Sequence, residues 1–224
     1  MSLFAIDGPD GCGKTTIIDV LDSNLYMELK DEKYREVICL RMPGGTPFGA
    51  ALRAALKDPK YKPCALAERL AFAADNAQTI EEVIKPKLET NAIIICDRWN
   101  FFTDYAYALA RGVDHETVAT IHKLLPPIKL DILFIFDTPL DVTERRKKIL
   151  DEMPNNPRCR IEAQGEEFRR AVHKFYYDAA YTEASKPWVL AHALAKRVVV
   201  VKNHDETPQQ IAAFIKAEIL GTQS

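Results

Sequence analysis

The sequence predicts an α/β fold: a three-layer sandwich in which a five-stranded parallel sheet is flanked by helices. Three observations carry this. Short apolar runs without alternation recur along the chain, as strands buried on both faces require. Segments of helical spacing separate them, which suits the crossovers of a parallel sheet. The first run, Leu3-Phe4-Ala5-Ile6, leads into Gly8-Pro9-Asp10-Gly11-Cys12-Gly13-Lys14-Thr15, a complete G-x-x-x-x-G-K-T loop that makes the sandwich a P-loop NTPase.

In chain order, Leu3 to Ile6 is the first strand. A helix runs on from Thr16, because Ile17, Ile18, Leu21 and Leu25 recur at helical spacing. Val37 to Leu40 reads as a second strand and Phe48 to Leu56 as a short helix. A long helix over Ala65 to Leu88 is disturbed at Pro86, which has no N–H to donate. Ala92-Ile93-Ile94-Ile95-Cys96 is a third strand ending at Asp97, and helices cover Asn100 to Ala110 and Glu116 to Leu124. Ile132-Leu133-Phe134-Ile135-Phe136 is a fourth strand ending at Asp137, followed by a helix from Asp141 to Leu150. Val198 to Val201 is the fifth strand. Thr207-Pro208-Gln209-Gln210 opens the last helix with a Thr cap, Pro at the first position and Gln three residues after the cap.

Residues 1–224 read as one domain, long enough to bury a substantial core. Residues 147–162 are expected to form a mobile lid, since Pro154, Asn155, Asn156 and Pro157 interrupt helix beside the basic residues Arg158 and Arg160. Charged residues make up 28% of the chain and the net charge is −2, which argues against nucleic acid or a membrane surface as partner. The N-terminus is not leader-like and the sequence lacks an apolar stretch of about 18 residues, so a cytoplasmic location is expected. Five scattered cysteines, with no C-x-x-C pair, argue against a disulfide framework or a zinc site.

The loop glycines let backbone N–H groups converge on phosphate oxygens. Lys14 can reach the β and γ phosphates, and the Thr15 hydroxyl can ligate Mg²⁺. The expected ATP-binding set is therefore Gly8, Gly11, Cys12, Gly13, Lys14, Thr15 and Thr16. The chain has no N-K-x-D guanine reader and no G-x-G-x-x-G dinucleotide fingerprint. In a parallel sheet, ligands gather beyond the carboxyl ends of the strands, which directs attention to Arg41 to Thr46, Asp97-Arg98-Trp99 and Asp137-Thr138-Pro139. Asp97 is expected to organise the metal with Thr15, and Arg98 to bridge two phosphate groups. Asp137 competes for the metal role but also fits a helix-starting charge ahead of Pro139.

Phe4 to Thr16, Pro43-Gly44-Gly45-Thr46, Phe72-Ala73-Ala74-Asp75 and Asp97-Arg98 occur in an order and spacing that resemble the thymidylate kinase family. The likeness continues through Arg111-Gly112-Val113-Asp114 and Arg160-Ile161-Glu162 over nearly the whole chain. The resemblance implies transfer of the γ-phosphoryl group of ATP to a deoxynucleoside 5′-monophosphate, dTMP before others, with Mg²⁺ as cofactor. It also implies small-molecule nucleotides as partners and a homodimer. The acceptor phosphate is already a nucleophile, so positioning and charge neutralisation are the tasks left to the protein. By the resemblance, Arg98 and Arg53 hold the acceptor phosphate, Phe72 stacks on the base, Met42 and Pro43 line the acceptor side, and Asp10 lies near the sugar and the metal-bound phosphates. Gly11 and Cys12 leave the phosphate loop without an arginine. The lid is therefore expected to supply the catalytic cation, as in the bacterial type, from Arg160 first and then Arg145 and Arg158, and these last two join the expected ATP-binding set. The catalytic set is Lys14, Asp97, Arg98, Arg160 and Asp10.

Departures from the family pattern gather on the nucleoside pocket. Asn76 stands where an arginine contacts thymine O4, and Tyr107 where glutamine is usual. Ala106 replaces a tyrosine that packs on the sugar, with Tyr105 beside it as a substitute, while Thr103 keeps a hydroxyl that can face the base. Met42 stands where many members have glutamate. Asn76 both donates and accepts, so a different or modified base is an alternative to thymine, and a non-catalytic nucleotide-binding module is a further one. The stretch from about Ala184 to Lys196, with Trp188, is longer than the family pattern and has no functional reading.

Overall fold

A computed structural model describes residues 2–28, 36–152, 160–161, 163–182 and 186–222. Strands β1 (Leu3–Asp7), β2 (Val37–Arg41), β3 (Ile93–Asp97), β4 (Leu130–Asp137) and β5 (Ala195–Lys202) form a five-stranded parallel sheet in the order β2-β3-β1-β4-β5. β1 is central, with Phe4 in register with Ile95 on one side and Ile132 on the other. Side chains alternate along each strand, which splits the core in two. Leu3, Ala5, Leu133 and Ile135 enter one half, and Phe4, Ile6, Ile132 and Phe134 the other.

The second half is covered by α1 (Lys14–Glu28) and α10 (Pro208–Gly221) through Ile17, Leu21, Ile211 and Ile215. α10 begins as its sequence dictates, with a reciprocal capping box between Thr207 and Gln210. Beyond the loop after β2, α2 (Pro47–Lys57) is capped by Thr46, which accepts from Gly49 N–H, and packs on α3 (Ala65–Thr79). α5 (Asn100–Leu109) is buried from Asn100 to Ala108 between α3, α6 (His115–His122) and α8 (Glu166–Tyr181).

Three features differ from the expectations. The disturbance placed at Pro86 begins upstream, as a π-helical turn over Ile80–Ile84 before α4 (Lys85–Glu89), with Lys85 N–H reaching back to Ile80 O. Pro86 lacks a donor and its ring crowds the carbonyl four residues before it, so the preceding turn widens. α8 was not expected, yet Phe168, Val172, Tyr176 and Ala179 recur at helical spacing and are buried. The long stretch containing Trp188 forms α9 (Lys186–His192), where Trp188 stacks on His192 and meets Tyr105 edge to face. Of the expected lid, α7 (Leu140–Asp151) covers the start, and Arg160 and Ile161 are placed. Residues 153–159 and 162, Arg158 among them, lie outside the described residues.

Candidate active site

The carboxyl ends of β1, β2 and β3 open into a cavity of about 560 Å³. Its wall brings together fourteen of the sequence-predicted residues: Asp10, Gly11, Gly13, Lys14, Thr15, Thr16, Met42, Pro43, Arg53, Phe72, Asp97, Arg98, Thr103 and Tyr107. They arrive from the loop after β1 and the start of α1, the loop after β2, the end of β3 and the turn after it, and the faces of α2, α3 and α5.

Asp7, at the end of β1, holds the centre of this arrangement although no role was expected for it. It is fully buried and accepts hydrogen bonds from Gly8 N (2.8 Å), Trp99 N (3.1 Å), Thr103 Oγ1 (2.6 Å) and Tyr176 Oη (2.7 Å). Four donors satisfy a carboxylate that burial would otherwise penalise. One result is a fixed position for the turn after β3, where Arg98 takes a left-handed backbone (φ 76°). That conformation costs of order 1 kcal/mol for a residue with a side chain, and strain of this kind clusters at working sites. It aims the guanidinium back at the phosphate loop, where Arg98 pairs with Asp10 and donates to Gly8 O (3.2 Å).

Asp10 also accepts from Tyr107 Oη at 3.0 Å. Burial alone would raise its pKa, but Arg98, Lys14, Lys147 and the Tyr107 hydrogen bond outweigh that and bring it down to about 2. Burial and the neighbouring Asp10 carboxylate push the Tyr107 phenol well above its ordinary range, despite the opposing pull of Arg98. Asp10 is therefore an anion at neutral pH and Tyr107 a neutral donor. Lys14 is folded onto its own loop, donating to Gly8 O (2.8 Å) and Pro9 O (2.9 Å). Gly11 and Gly13 have φ of 82° and 92°, and a Cβ on Gly11 would stand 2.8 Å from Thr143 O, so both positions need glycine.

Thr15 Oγ1 donates to Asp97 Oδ2 at 3.4 Å, which puts the two expected metal ligands side by side. Among the described residues, no three His, Cys, Asp or Glu side chains gather into a metal-binding group. Mg²⁺ does not need one, since it is commonly held by one or two carboxylates together with substrate phosphates and water, and this hydroxyl–carboxylate pair fits that pattern. Asp137 stands elsewhere, bonded to Tyr181 Oη and to His204 Nε2 (2.9 Å). At the loop after β2, Arg53 donates to Pro43 O (2.9 Å), across a turn with a cis Met42–Pro43 bond.

Other expected residues are placed away from the described wall. Gly8 and Cys12 belong to the loop but do not line the cavity, and the Cys12 thiol is buried in the core, where it accepts from Lys14 Nζ (3.3 Å). Tyr105 turns into an aromatic cluster with His115, His122, Trp188 and His192, and Ala106 packs in the core, so neither fills the expected place against the sugar. Asn76 is buried in α3 and does not line the cavity, although it stands one turn beyond Phe72 on the same side of the helix, and its Oδ1 meets no donor among the described residues. Arg145 is exposed on α7 and Arg146, the next residue, lines the cavity and donates to Cys12 O (3.4 Å). Arg160 pairs with Glu68 and donates through Nε to Leu56 O (2.9 Å), which anchors it to α2 and α3 rather than over the phosphate loop.

The expectations also left out Arg69 and Asp104, which line the cavity and pair with each other. Helical phase could have found two of these residues. Arg146 lies three residues after the buried Thr143, and Arg69 three before Phe72. α5 offers no such signal for Asp104, because its exposure pattern is buried almost throughout.

Comparison with known proteins is consistent with this geometry. The thymidylate kinase family model matches residues 6–202. The chain is 34% identical over 178 residues to a thymidylate kinase of Halothermothrix orenii, covering 79% of this chain and 83% of the relative. It is 34% identical over 181 residues to one of Fervidobacterium nodosum, with 79% and 83% covered. The crystal structure of thymidylate kinase from Ehrlichia chaffeensis superimposes with a TM-score of 0.69 at 24% identity, over 97% of this chain and 98% of that one, and so shares the fold.

Proposed function

The chain belongs to the thymidylate kinase family, and from that premise we propose how its own residues divide the work of phosphorylating dTMP. The activity is ATP-dependent phosphorylation of dTMP to dTDP by a nucleoside monophosphate kinase. The single observation that carries the assignment of roles is the contact of Arg98 with Asp10, which joins the acceptor wall to the phosphate loop at one point.

In this reading the loop N–H groups cradle the ATP phosphates, and Lys14 exchanges its carbonyl partners for β- and γ-phosphate oxygens. An oxygen of the dTMP phosphate attacks the γ-phosphorus in line as the bond to the β-phosphate oxygen breaks. The bonding pair leaves on ADP, and no proton need move. Arg98 holds the attacking phosphate against the γ-phosphoryl group, with Arg53 on its other side and Arg146 neutralising charge from α7. Thr15 and Asp97 would hold Mg²⁺, and the chemistry it supplies when bound is withdrawal of charge from β- and γ-phosphate oxygens. Phe72 stacks on the base and Thr103 stands at its edge.

Asn76 is buried one turn beyond Phe72, and a different or modified base is the alternative acceptor that this departure brings into the test. A homodimer is the expected assembly. Leu66 and Leu70 on α3 and Phe48 on α2 are each about half exposed and present apolar surface to a second copy. The proposed cytoplasmic location rests on the nucleotide chemistry; among the described residues no helix is long and apolar enough to cross a membrane.

The test is an acceptor panel: purified chain with ATP, Mg²⁺ and each deoxynucleoside monophosphate, followed by ADP and diphosphate formation. The highest kcat/KM is expected with dTMP. No ADP above background with any acceptor would overturn the kinase reading, and a better acceptor than dTMP would overturn the base assignment.

A further inference from the structure

We propose that Trp99 is a positioning residue for phosphoryl transfer, holding Arg98 in place through the hydrogen bond from its indole Nε1–H to Ala193 O, and that the long stretch containing α9 serves to present that carbonyl. This rests on the reading above, in which Arg98 holds the attacking phosphate, and adds to it the element that keeps Arg98 in its strained conformation.

Three observations converge. Trp99 follows Arg98 directly, is fully buried, and is tied down at its main-chain and side-chain ends: its backbone N–H donates to Asp7 Oδ2 (3.1 Å) and its Nε1–H to Ala193 O (2.7 Å). Arg98 N donates to Ile6 O at 2.9 Å, so the left-handed residue is pinned on each side of its φ of 76°. The acceptor is fixed as firmly as the donor. Ala193 is the residue after α9, with its N–H still returning to Val189 O (2.8 Å), and Leu194 beside it is also left-handed (φ 51°), its carbonyl held by Leu130 N–H (2.8 Å) at the start of β4. Among the described residues only Asn91, Arg98 and Leu194 carry a side chain at positive φ, and the last two stand next to the two ends of this one hydrogen bond. The third observation is how α9 is docked. Trp188 stacks on His192 with centroids 4.4 Å apart and meets the edges of Tyr105 at 4.9 Å and Phe175 at 5.9 Å, and Val189 is buried in the same half of the core as Trp99. α9 and the turn after it thus grip α5 at its N-cap, Trp99, and at Tyr105, which lies between the cavity residues Asp104 and Tyr107.

A carbonyl at a helix end has no partner within its helix, and buried away from water it requires a donor. Strained backbone persists only where its surroundings over-determine it. Arg98 would relax toward negative φ if the residue after it could turn, and its guanidinium would then leave Asp10 and the phosphate loop. The indole prevents that turn, because the two N–H groups of Trp99 are bound to separate parts of the sheet: Asp7 at the end of β1 and Ala193 ahead of β5. Displacing a positioning group by about 1 Å is enough to slow a reaction by up to about a hundredfold, so a tether of this kind acts on the rate. Trp188 acts one step further out, as the ring that seats α9 among the aromatic side chains of α5 and α8.

Trp99→Phe keeps an aromatic ring in the core and removes the indole N–H, whereas Trp188→Ala keeps that N–H and unseats α9. Both are assayed with dTMP well below the melting transition, with intact sites counted by binding of a non-hydrolysable ATP analogue. Trp99→Phe is expected to lower kcat per counted site at least about tenfold while KM for ATP holds within about twofold. Trp188→Ala is expected to lower kcat about three- to tenfold and to speed exchange of the Trp99 indole hydrogen, followed by NMR, at least about tenfold. The double variant should turn over no slower than Trp99→Phe alone, because the bond through which Trp188 acts is already absent. An unchanged kcat per counted site in Trp99→Phe, with or without fewer sites, would make Trp99 a purely structural residue and overturn the proposal. Losses that multiply in the double variant would overturn the role of α9. If Trp99→Phe yields no folded protein, Trp188→Ala decides, and an unchanged kcat there refutes the proposal whether or not the indole exchanges faster. Failure of the unaltered chain to phosphorylate dTMP would instead overturn the kinase reading, and this proposal with it.

Discussion

Gly49→Ala provides a test of how the acceptor wall is built. Gly49 is buried in the first turn of α2, and an added Cβ would stand 3.2 Å from Thr46 Oγ1 and well under 3.0 Å from Asp75 Oδ1. That oxygen accepts from Gly44 N at 2.9 Å, and the other oxygen of the same carboxylate accepts from Asn100 Nδ2 at 3.2 Å. Asp75 is fully buried, and burial pushes its pKa up, with Gly44 N–H, Arg53 and Asn100 opposing the shift. Displacing it therefore strains or breaks two hydrogen bonds to a buried acid, each worth about 1.5–3 kcal/mol when the acid is charged. The propensity gained by replacing glycine returns about 0.5–1 kcal/mol. The net loss is up to about 2–5.5 kcal/mol, and at about 2–4 °C per kcal/mol for a chain of this size the melting temperature drops by up to about 4–22 °C. Gly44 belongs to the loop that carries Met42 and Pro43, so KM for dTMP is expected to rise about tenfold while KM for ATP stays put. Calorimetry and initial-rate kinetics read both effects. Gly221→Ala, where nothing lies within 4 Å of the added Cβ, is the control. A variant melting within about 1 °C of the unaltered chain, with normal KM for dTMP, refutes the reasoning.

Lys14→Met is expected to reduce turnover at least about a hundredfold while the far-ultraviolet circular dichroism spectrum is retained, since Lys14 bonds only to its own loop. Arg146→Ala and Arg160→Ala should separate cleanly. The first lowers kcat about tenfold or more, whereas the second leaves kcat within about threefold and costs about 1–2 kcal/mol of stability, because Glu68 keeps Arg69 and Arg111 as partners. A larger kcat loss in Arg160→Ala would restore it as the catalytic cation. For pH dependence, the pKa of Asp10 is depressed from 3.8 to about 2. The stability it contributes is therefore complete above pH 3.8 and is lost as pH falls through about 2. Asp10→Asn should be the less stable protein at pH 6, with the gap closing toward pH 2 in denaturant titrations.

The sheet and most helices were legible because burial writes a pattern into sequence. A parallel strand covered on both faces reads as an unbroken apolar run, and Ile93, Ile94 and Ile95 admit no other reading. The strands extend a residue or more past those runs, into Arg41, Asp97 and Lys202, because ladder hydrogen bonds continue where hydrophobicity stops. α8 was missed for a different reason. Its exposed face carries Glu166, Glu167, Arg170, Lys174 and Asp178, which makes the segment read as polar unless the Phe168–Val172–Tyr176 spacing is counted.

The cavity wall divides in the same way between what local pattern shows and what it cannot. Loop motifs act through backbone geometry, so Gly11, Gly13, Lys14 and Thr15 reach their places by adjacency alone. Residues whose place depends on helix rotation are harder to read: Arg146 rather than the adjacent Arg145 lines the cavity, and Asn76 is buried one turn beyond Phe72 without lining it. Asp7 could not be found by either route. It sits at a strand end like any buried position, and its donors come from chain positions as distant as Tyr176. Yet it binds the turn bearing Arg98, the Thr103 hydroxyl and the phosphate loop to one carboxylate, and Arg98 and Tyr107 both reach Asp10 in that loop. Donor and acceptor halves of the cavity therefore share one electrostatic unit. Groups coupled through a common partner do not contribute independently, and free energies of substitution at Asp10, Arg98 and Tyr107 must be non-additive for that physical reason.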